Sequence, residues 1–231
     1  MASPIRIISS MATKQVLADL IALYRQAHPD TVIELESVGG VDAAKRVQAG
    51  EAFDIVALAS NAVAQLTTDG KVVAGSTVDV VRSGVALAVR RGAPHPDITS
   101  EAAVKQAVLA ARTLGYSTGP SGVQLAKLFE RWGIAEQIKD RIVTAPPGVP
   151  VGSLVAQGEV ELGFQQLSEL MSLEGIDVLG PLPAQIQIIT TFSAGLATAS
   201  TQPEAVRALL AFLVSPATAQ TKQRNGMEAA G

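Results

Sequence analysis

Ile5-Arg6-Ile7-Ile8-Ser9-Ser10-Met11-Ala12-Thr13-Lys14 begins as a buried strand, Ile5 to Ile8, and runs through small and hydroxyl residues into a helix. Leu17, Leu20, Ile21 and Tyr24 then recur at the i, i+3, i+4, i+7 spacing of one helix face, and Pro29-Asp30 stops that helix. Val32 to Leu35 is the next strand. After Gly39-Gly40 a second helix runs through Val41 and Val47 to Gly50, which is suited to a left-handed C-cap, before the strand Phe53-Asp54-Ile55-Val56-Ala57-Leu58. Strand, helix, strand, helix, strand between Ile5 and Leu58 is the mark of a parallel sheet with crossover helices.

The same alternation continues outward. Val78 to Val81 and Val85 to Val89 read as extended runs separated by Arg82-Ser83-Gly84, where the chain could cross into another lobe, and Arg91-Gly92-Ala93-Pro94-His95-Pro96 reads as a linker. A new α/β run follows, with helices over Ala102 to Ala111 and along Leu125, Leu128, Phe129 and Trp132, and a strand at Leu114 to Ser117. Val149 to Gln157 is a short helix ending at Gly158, ahead of a strand at Glu161 to Gln165. Ile186 to Phe192 reads as a long returning strand, and Val206, Leu209, Leu210 and Leu213 stripe a closing helix. The fold class expected is α/β, with two doubly wound lobes of mixed, mainly parallel sheets joined by hinge crossings. Lobe 1 is discontinuous, 1–82 and 192–231, and lobe 2, 83–191, is inserted in it. The run Val47 to Ile55 echoes Val155 to Leu162 as helix end, glycine cap, acidic turn and strand; duplication and convergence on a common junction both account for it.

With 231 residues and 48% hydrophobic content, the chain can bury two small cores without staples. Its net charge of −3 offers no grip on a phosphate backbone, and 3% aromatics leaves few stacking platforms, so nucleic acid is not an expected partner. The absence of cysteine excludes disulfides, thiolate metal sites and a cysteine nucleophile. His28 and His95, each followed by proline, make a histidine metal site unexpected. No apolar run reaches the roughly 18 residues of a spanning helix, and Met1 is read as added where a targeting segment was removed.

In open α/β sheets ligands bind beyond the carboxyl ends of the strands, where helix starts present unpaired N–H groups. Small or hydroxyl residues mark such junctions at Ser9, Ser10, Met11, Ala12 and Thr13, at Ser37 to Gly40 (with Gly39 and Gly40), at Ser117, Thr118, Gly119, Pro120, Ser121 and Gly122, and at Pro146 to Val151 (with Val149 and Val151). Together they predict an anion site between two lobes; singly, each also reads as a helix cap or turn. Neither a GK[ST] loop ending nor GxGxxG nor GxSxG is present at a suitable strand. Arg82 could meet a carboxylate with two parallel hydrogen bonds or be an ordinary surface arginine. Lys14 sits in a first helical turn, against the helix dipole. Gln165 and Gln166 end a strand, and by alternation only one should face the ligand.

These junctions resemble the type II periplasmic solute-binding proteins, and the chain is similar to their molybdate-binding branch over nearly its whole length. The matching stretches are Ala44 to Gly50 followed by Phe53 to Val56, the Pro120-Ser121-Gly122 helix start, and Gly163-Phe164-Gln165-Gln166. The resemblance implies a bilobal fold, hinges near Arg82 and Thr191, capture by lobe closure, a periplasmic monomer, and an ABC-type permease as partner. Molybdate binders of this kind hold their oxyanion with a serine at each of the first two junctions and a tyrosine near the end of a second-lobe strand. Here Ala12, Gly39 or Gly40, and Gln166 stand in those places, so a di- or tricarboxylate met by Arg82, Ser121 and Gln166 is the expected ligand. The alternative is aconitate isomerase, which resembles the same branch and needs no cofactor or metal. Lys14, Tyr116 and Glu169 are then the candidate proton carriers.

Overall fold

The computed structural model describes residues 3–146 and 148–230. In chain order the elements are β1 (Ile5–Ser10), α1 (Lys14–Ala27), β2 (Ile33–Val38), α2 (Gly40–Gln48), β3 (Ile55–Ala59), α3 (Ser60–Thr68), β4 (Val78–Arg90), α4 (Glu101–Ala110), β5 (Leu114–Tyr116), α5 (Pro120–Arg131), α6 (Ala135–Ile138), β6 (Ile142–Thr144), α7 (Val151–Gln157), β7 (Leu162–Gln166), α8 (Leu167–Leu170), β8 (Ile176–Pro181), β9 (Ile189–Leu196), α9 (Pro203–Leu213), α10 (Ala219–Arg224) and β10 (Glu228–Ala229). They form two compact units, Met1–Arg82 with Thr191–Gly231, and Ser83–Thr190. Each is a doubly wound α/β unit with a mixed sheet, and β4 and β9 carry the chain from one to the other.

In the first unit β1 lies between β2 and β3, parallel to both, and β9 runs antiparallel to β3. Alternate side chains leave the strands on opposite faces. Ile5, Ile7, Ile55 and Ala57 therefore pack with Leu17, Leu20, Val206 and Leu209, whereas Ile8, Val56 and Leu58 pack with Ala43, Val47, Val63 and Leu66. The carboxylate of Asp54 fastens the late part of the chain to this early sheet. It accepts hydrogen bonds from the Arg6 amide (2.9 Å) and the Ser200 hydroxyl (2.5 Å), and Gln202 donates to the Pro4 carbonyl (2.9 Å).

In the second unit β4 pairs antiparallel with β7 and β8, and β5 lies parallel to β7 and β6. One face carries Val85, Leu87, Leu114 and Phe164 under α4 and α5; the other carries Ala86 and Ala88 under α7. The second face is low by composition. A Cβ on Gly163 would stand 2.5 Å from Val155 Cγ2 and 3.2 Å from Val151 Cγ1, and one on Gly115 would stand 2.7 Å from Val160. Glycine and alanine thus let α7 lie close to the strands, with Val151 and Val155 wholly buried.

Two strand readings need correction. Arg82-Ser83-Gly84 does not separate two extended runs; β4 is continuous from Val78 to Arg90. The small pair passes without a break because the Gln187 amide covers it, 3.0 Å from where a Gly84 Cβ would be, and accepts the Val85 N–H at 3.0 Å. Ile186 is not in the returning strand but ends a 3-10 turn, Ala184–Ile186. Gln187 Oε1 also takes the Ile188 N–H (2.8 Å), and the strand starts at Ile189 and continues to Leu196, opposite Ile55.

Gly163→Ala tests the close approach of α7. The added methyl should cost about 1–3 kcal/mol in stability, as overpacking of a filled core does. Urea unfolding followed by circular dichroism measures it, and the loss should shrink when Val155→Ala is added.

Candidate functional site

In the first unit the β1–α1 junction satisfies its own hydroxyls. Ser9, wholly buried, shares a 2.7 Å hydrogen bond with Ser37 Oγ, and Thr13 Oγ1 donates to the Ser10 carbonyl (3.2 Å) and lies 3.3 Å from Ser10 Oγ. Met11 and Ala12 are half-buried in the 3-10 turn, and Lys14 is exposed at the first turn of α1. At α2, Gly39 is the N-cap and no side chain caps the first turn, which leaves backbone N–H groups around Gly40 for another acceptor. Arg82, exposed, donates to the Ala230 carbonyl at 2.7 Å and stands opposite Glu228 in the β4–β10 pair.

In the second unit the β5–α5 junction is built on one glycine. A Cβ on Gly122 would run into the Ser117 carbonyl oxygen, so the bare Cα lets the loop fold over the first turn of α5. Gly119 is the N-cap, again without a side-chain cap, and Pro120 starts the helix where its missing N–H costs nothing. Ser121 is buried with no internal partner for its hydroxyl among the described residues; Ser117 is half-buried and Thr118 exposed. Tyr116 is half-buried 6.0 Å from Phe129, and burial pushes its phenol up, so at neutral pH it is a proton donor. At the next junction Val149 is exposed, Val151 is core, and Pro147 lies outside the described residues.

The carboxyl end of β7 holds the densest polar constellation. Register places Gln166 opposite Val85 and Gln165 opposite Ala86, so the two glutamines leave opposite faces of the sheet, yet both are buried. Gln166 Nε2 donates to Thr190 Oγ1 (2.9 Å), and its Oε1 is buried with no partner among the described residues. A threonine hydroxyl both donates and accepts, so this amide can turn and offer a ligand either an acceptor or a donor. Gln165 is committed at both ends. Its Oε1 accepts the Gly152 N–H at 3.1 Å, and its Nε2 donates to Glu169 Oε2 at 2.6 Å.

Glu169 is partly accessible in α8, and its carboxyl is desolvated. Burial raises it from 4.5 to about 7, partly opposed by the Gln165 hydrogen bond. A carboxyl poised near neutrality can both take and return a proton. The histidines have other surroundings: His28 stacks on Tyr24, and His95 lies 3.2 Å from Asp177. No group of three or more histidine and carboxylate side chains is placed to hold a metal among the described residues. The Gln165–Glu169 link went unread in the sequence, although a four-residue spacing from strand end into the next helical turn was available to suggest it.

Two outcomes follow. Gly122→Ala should displace the Ser117–Gly119 loop and cost about 1–3 kcal/mol in stability, measured by urea unfolding. For Glu169, the folded carboxyl holds a proton that the unfolded chain releases between 4.5 and about 7. Stability through this group should therefore fall as pH rises across that window and level off above it, by on the order of 3 kcal/mol. Urea unfolding at about pH 5 and about pH 8 should show Glu169→Gln with a flatter dependence than the parent.

The comparisons extend this picture. The family model described as bacterial extracellular solute-binding protein matches residues 5–228. Aconitate isomerase of a Pseudomonas species is 40% identical over 186 residues, 79% of this chain and 70% of that protein. The fold is shared with the periplasmic molybdate-binding protein of Azotobacter vinelandii (TM-score 0.81, 15% identity, 98% of this chain and 100% of that one). It is shared equally with the sulfate-binding protein of Mycobacterium tuberculosis (TM-score 0.81, 14% identity, 99% and 88%). With the match running almost from end to end over this periplasmic binding protein fold, the chain belongs to the bacterial extracellular solute-binding protein family.

Proposed function

We propose that this protein binds a small polycarboxylate and isomerises it as an aconitate isomerase does, moving a double bond by a 1,3-proton shift without a cofactor. The observation that carries the reading is the 40% identity to an aconitate isomerase over 79% of this chain, and Glu169, a partly accessible carboxyl bonded to Gln165 and pushed up by burial, is the group suited to move the proton.

In this mechanism the Glu169 carboxylate takes a proton from the allylic carbon. The electron pair spreads over three carbons and into the adjoining substrate carboxylate. The same proton then returns to the far carbon, so nothing is oxidised or reduced and no atom is lost. The uncapped start of α5, with Ser121 and Gln166, is assigned to the substrate carboxylates, and the neutral phenol of Tyr116 to a hydrogen bond with the carboxylate that takes up the charge.

The second reading is a periplasmic receptor that hands the same polycarboxylate, unchanged, to an ABC-type permease. The family description and the binding-protein neighbours favour it. No helix among the described residues is long and apolar enough to cross a membrane.

Proton NMR of the protein at catalytic concentration with cis- or trans-aconitate separates the two. Interconversion is expected, and Glu169→Gln should slow it by about 100-fold or more while aconitate still raises the melting temperature. A ligand-dependent rise in melting temperature with no turnover in the parent protein establishes the receptor and overturns the isomerase.

A further inference from the structure

We infer that the two adjacent glutamines have separate tasks: Gln166 is the ligand contact, whereas Gln165 is a positioning residue that fixes the carboxylate of Glu169 by spanning it and the Gly152 amide. The inference rests on the isomerase reading for its use, but its geometry stands by itself.

The orientation of Gln165 is determined by its partners. A backbone N–H can only donate, so the Gly152 amide at 3.1 Å must face Oε1, and this leaves Nε2 for Glu169 at 2.6 Å. Gln165 therefore has one donor and its carbonyl engaged inside the unit, and is 5% exposed. Gly152 is held where it is by the close seating of α7: its own missing side chain would meet Leu173 and Leu170, and Val151 beside it packs onto Gly163. The amide is thus a rigid anchor. A glutamine anchored at one end restricts where its other end can hold an acidic group, and a 2.6 Å bond to the charged form favours that form.

Among the described residues of the second unit, burial and the Gln165 hydrogen bond are the two influences on this carboxylate, and its neighbouring elements add no charge. Neither β7 nor α7 carries an ionisable side chain, α8 carries only Glu169, and Glu174 is exposed in the turn after α8. On β8 the sole ionisable residue, Asp177, pairs opposite Val89, three positions along β4 from the Ala86 that faces Gln165, and accepts from Gly92 and His95. Gln165 is consequently the polar side chain through which the fold tempers the effect of burial on Glu169.

The test follows the carboxyl itself as well as the reaction. In full-length protein labelled with carboxyl-13C glutamate, the Glu169 resonance is assigned by its absence in Glu169→Gln and titrated without ligand. Gln165→Met should raise its midpoint by about 0.5–1 pH unit, and the acid limb of the aconitate rate profile should move up equally, with KM changed less than about two-fold. Gln165→Asn, too short to span both partners, should move the midpoint the same way and serves if Gln165→Met does not fold. A midpoint that stays put or falls in the folded variant overturns the inference. So does a KM rise of about ten-fold or more with an unmoved pH profile, which would make Gln165 a substrate contact. If the parent protein gives no turnover, the isomerase reading fails, and the ligand-free titration still decides the role of Gln165.

Discussion

The distance between α7 and the strands beneath it is the constraint on which the polar end of the second unit depends. Gly163, Gly115, Ala86 and Ala88 leave a low floor, and Val151 and Val155 fill the space their missing side chains provide. Packing of this density is set by volume, because a gap forfeits dispersion contacts and an extra methyl has nowhere to go. Only with the helix at this height does the Gly152 N–H come within reach of Gln165, and only then is Glu169 held. A purely apolar fit therefore sets the position of an acid two elements away.

The alternation of strands and helices was legible because each has its own hydrophobic period. Leu17, Leu20, Ile21 and Tyr24 are all buried along α1, and Gly50 does adopt the left-handed conformation, at φ 89°. What was not legible depended on partners distant in sequence. Ser83 and Gly84 look like a break until Gln187 arrives to cover them. Helix α3 buries just Val63 and Leu66 in a threonine-rich segment, too thin a stripe to register as periodic. At the candidate site, the hydroxyl and glycine junctions could be located by their position after strands, but whether a hydroxyl was spoken for could not. Ser9 is taken by Ser37, while Ser121 is not taken at all among the described residues. Alternation correctly put Gln165 and Gln166 on opposite faces; it could not show that both would be buried and that one would be bonded at both ends.

The shared fold and the separate chemistry sit on different parts of the chain. Relatives at 14–15% identity retain the architecture, since a core needs only volume and pattern. Chemistry resides in a few side chains at strand ends, and those can change without disturbing the layers beneath. Gln165 lies near the end of β7 and Glu169 in the four-residue helix that follows, away from the strand centres that carry the cores.

Asp54 has a consequence for the order of assembly on the ribosome. Its partners, Arg6, Ser200 and Gln202, span nearly the whole polypeptide, and β9 completes the sheet beside β3. The early half of the first unit therefore emerges with an open sheet edge and must wait while the contiguous second unit is synthesised and can close on itself. Until residues 191–230 are available, β3 lacks its neighbour, and a hydrophobic strand edge stays open.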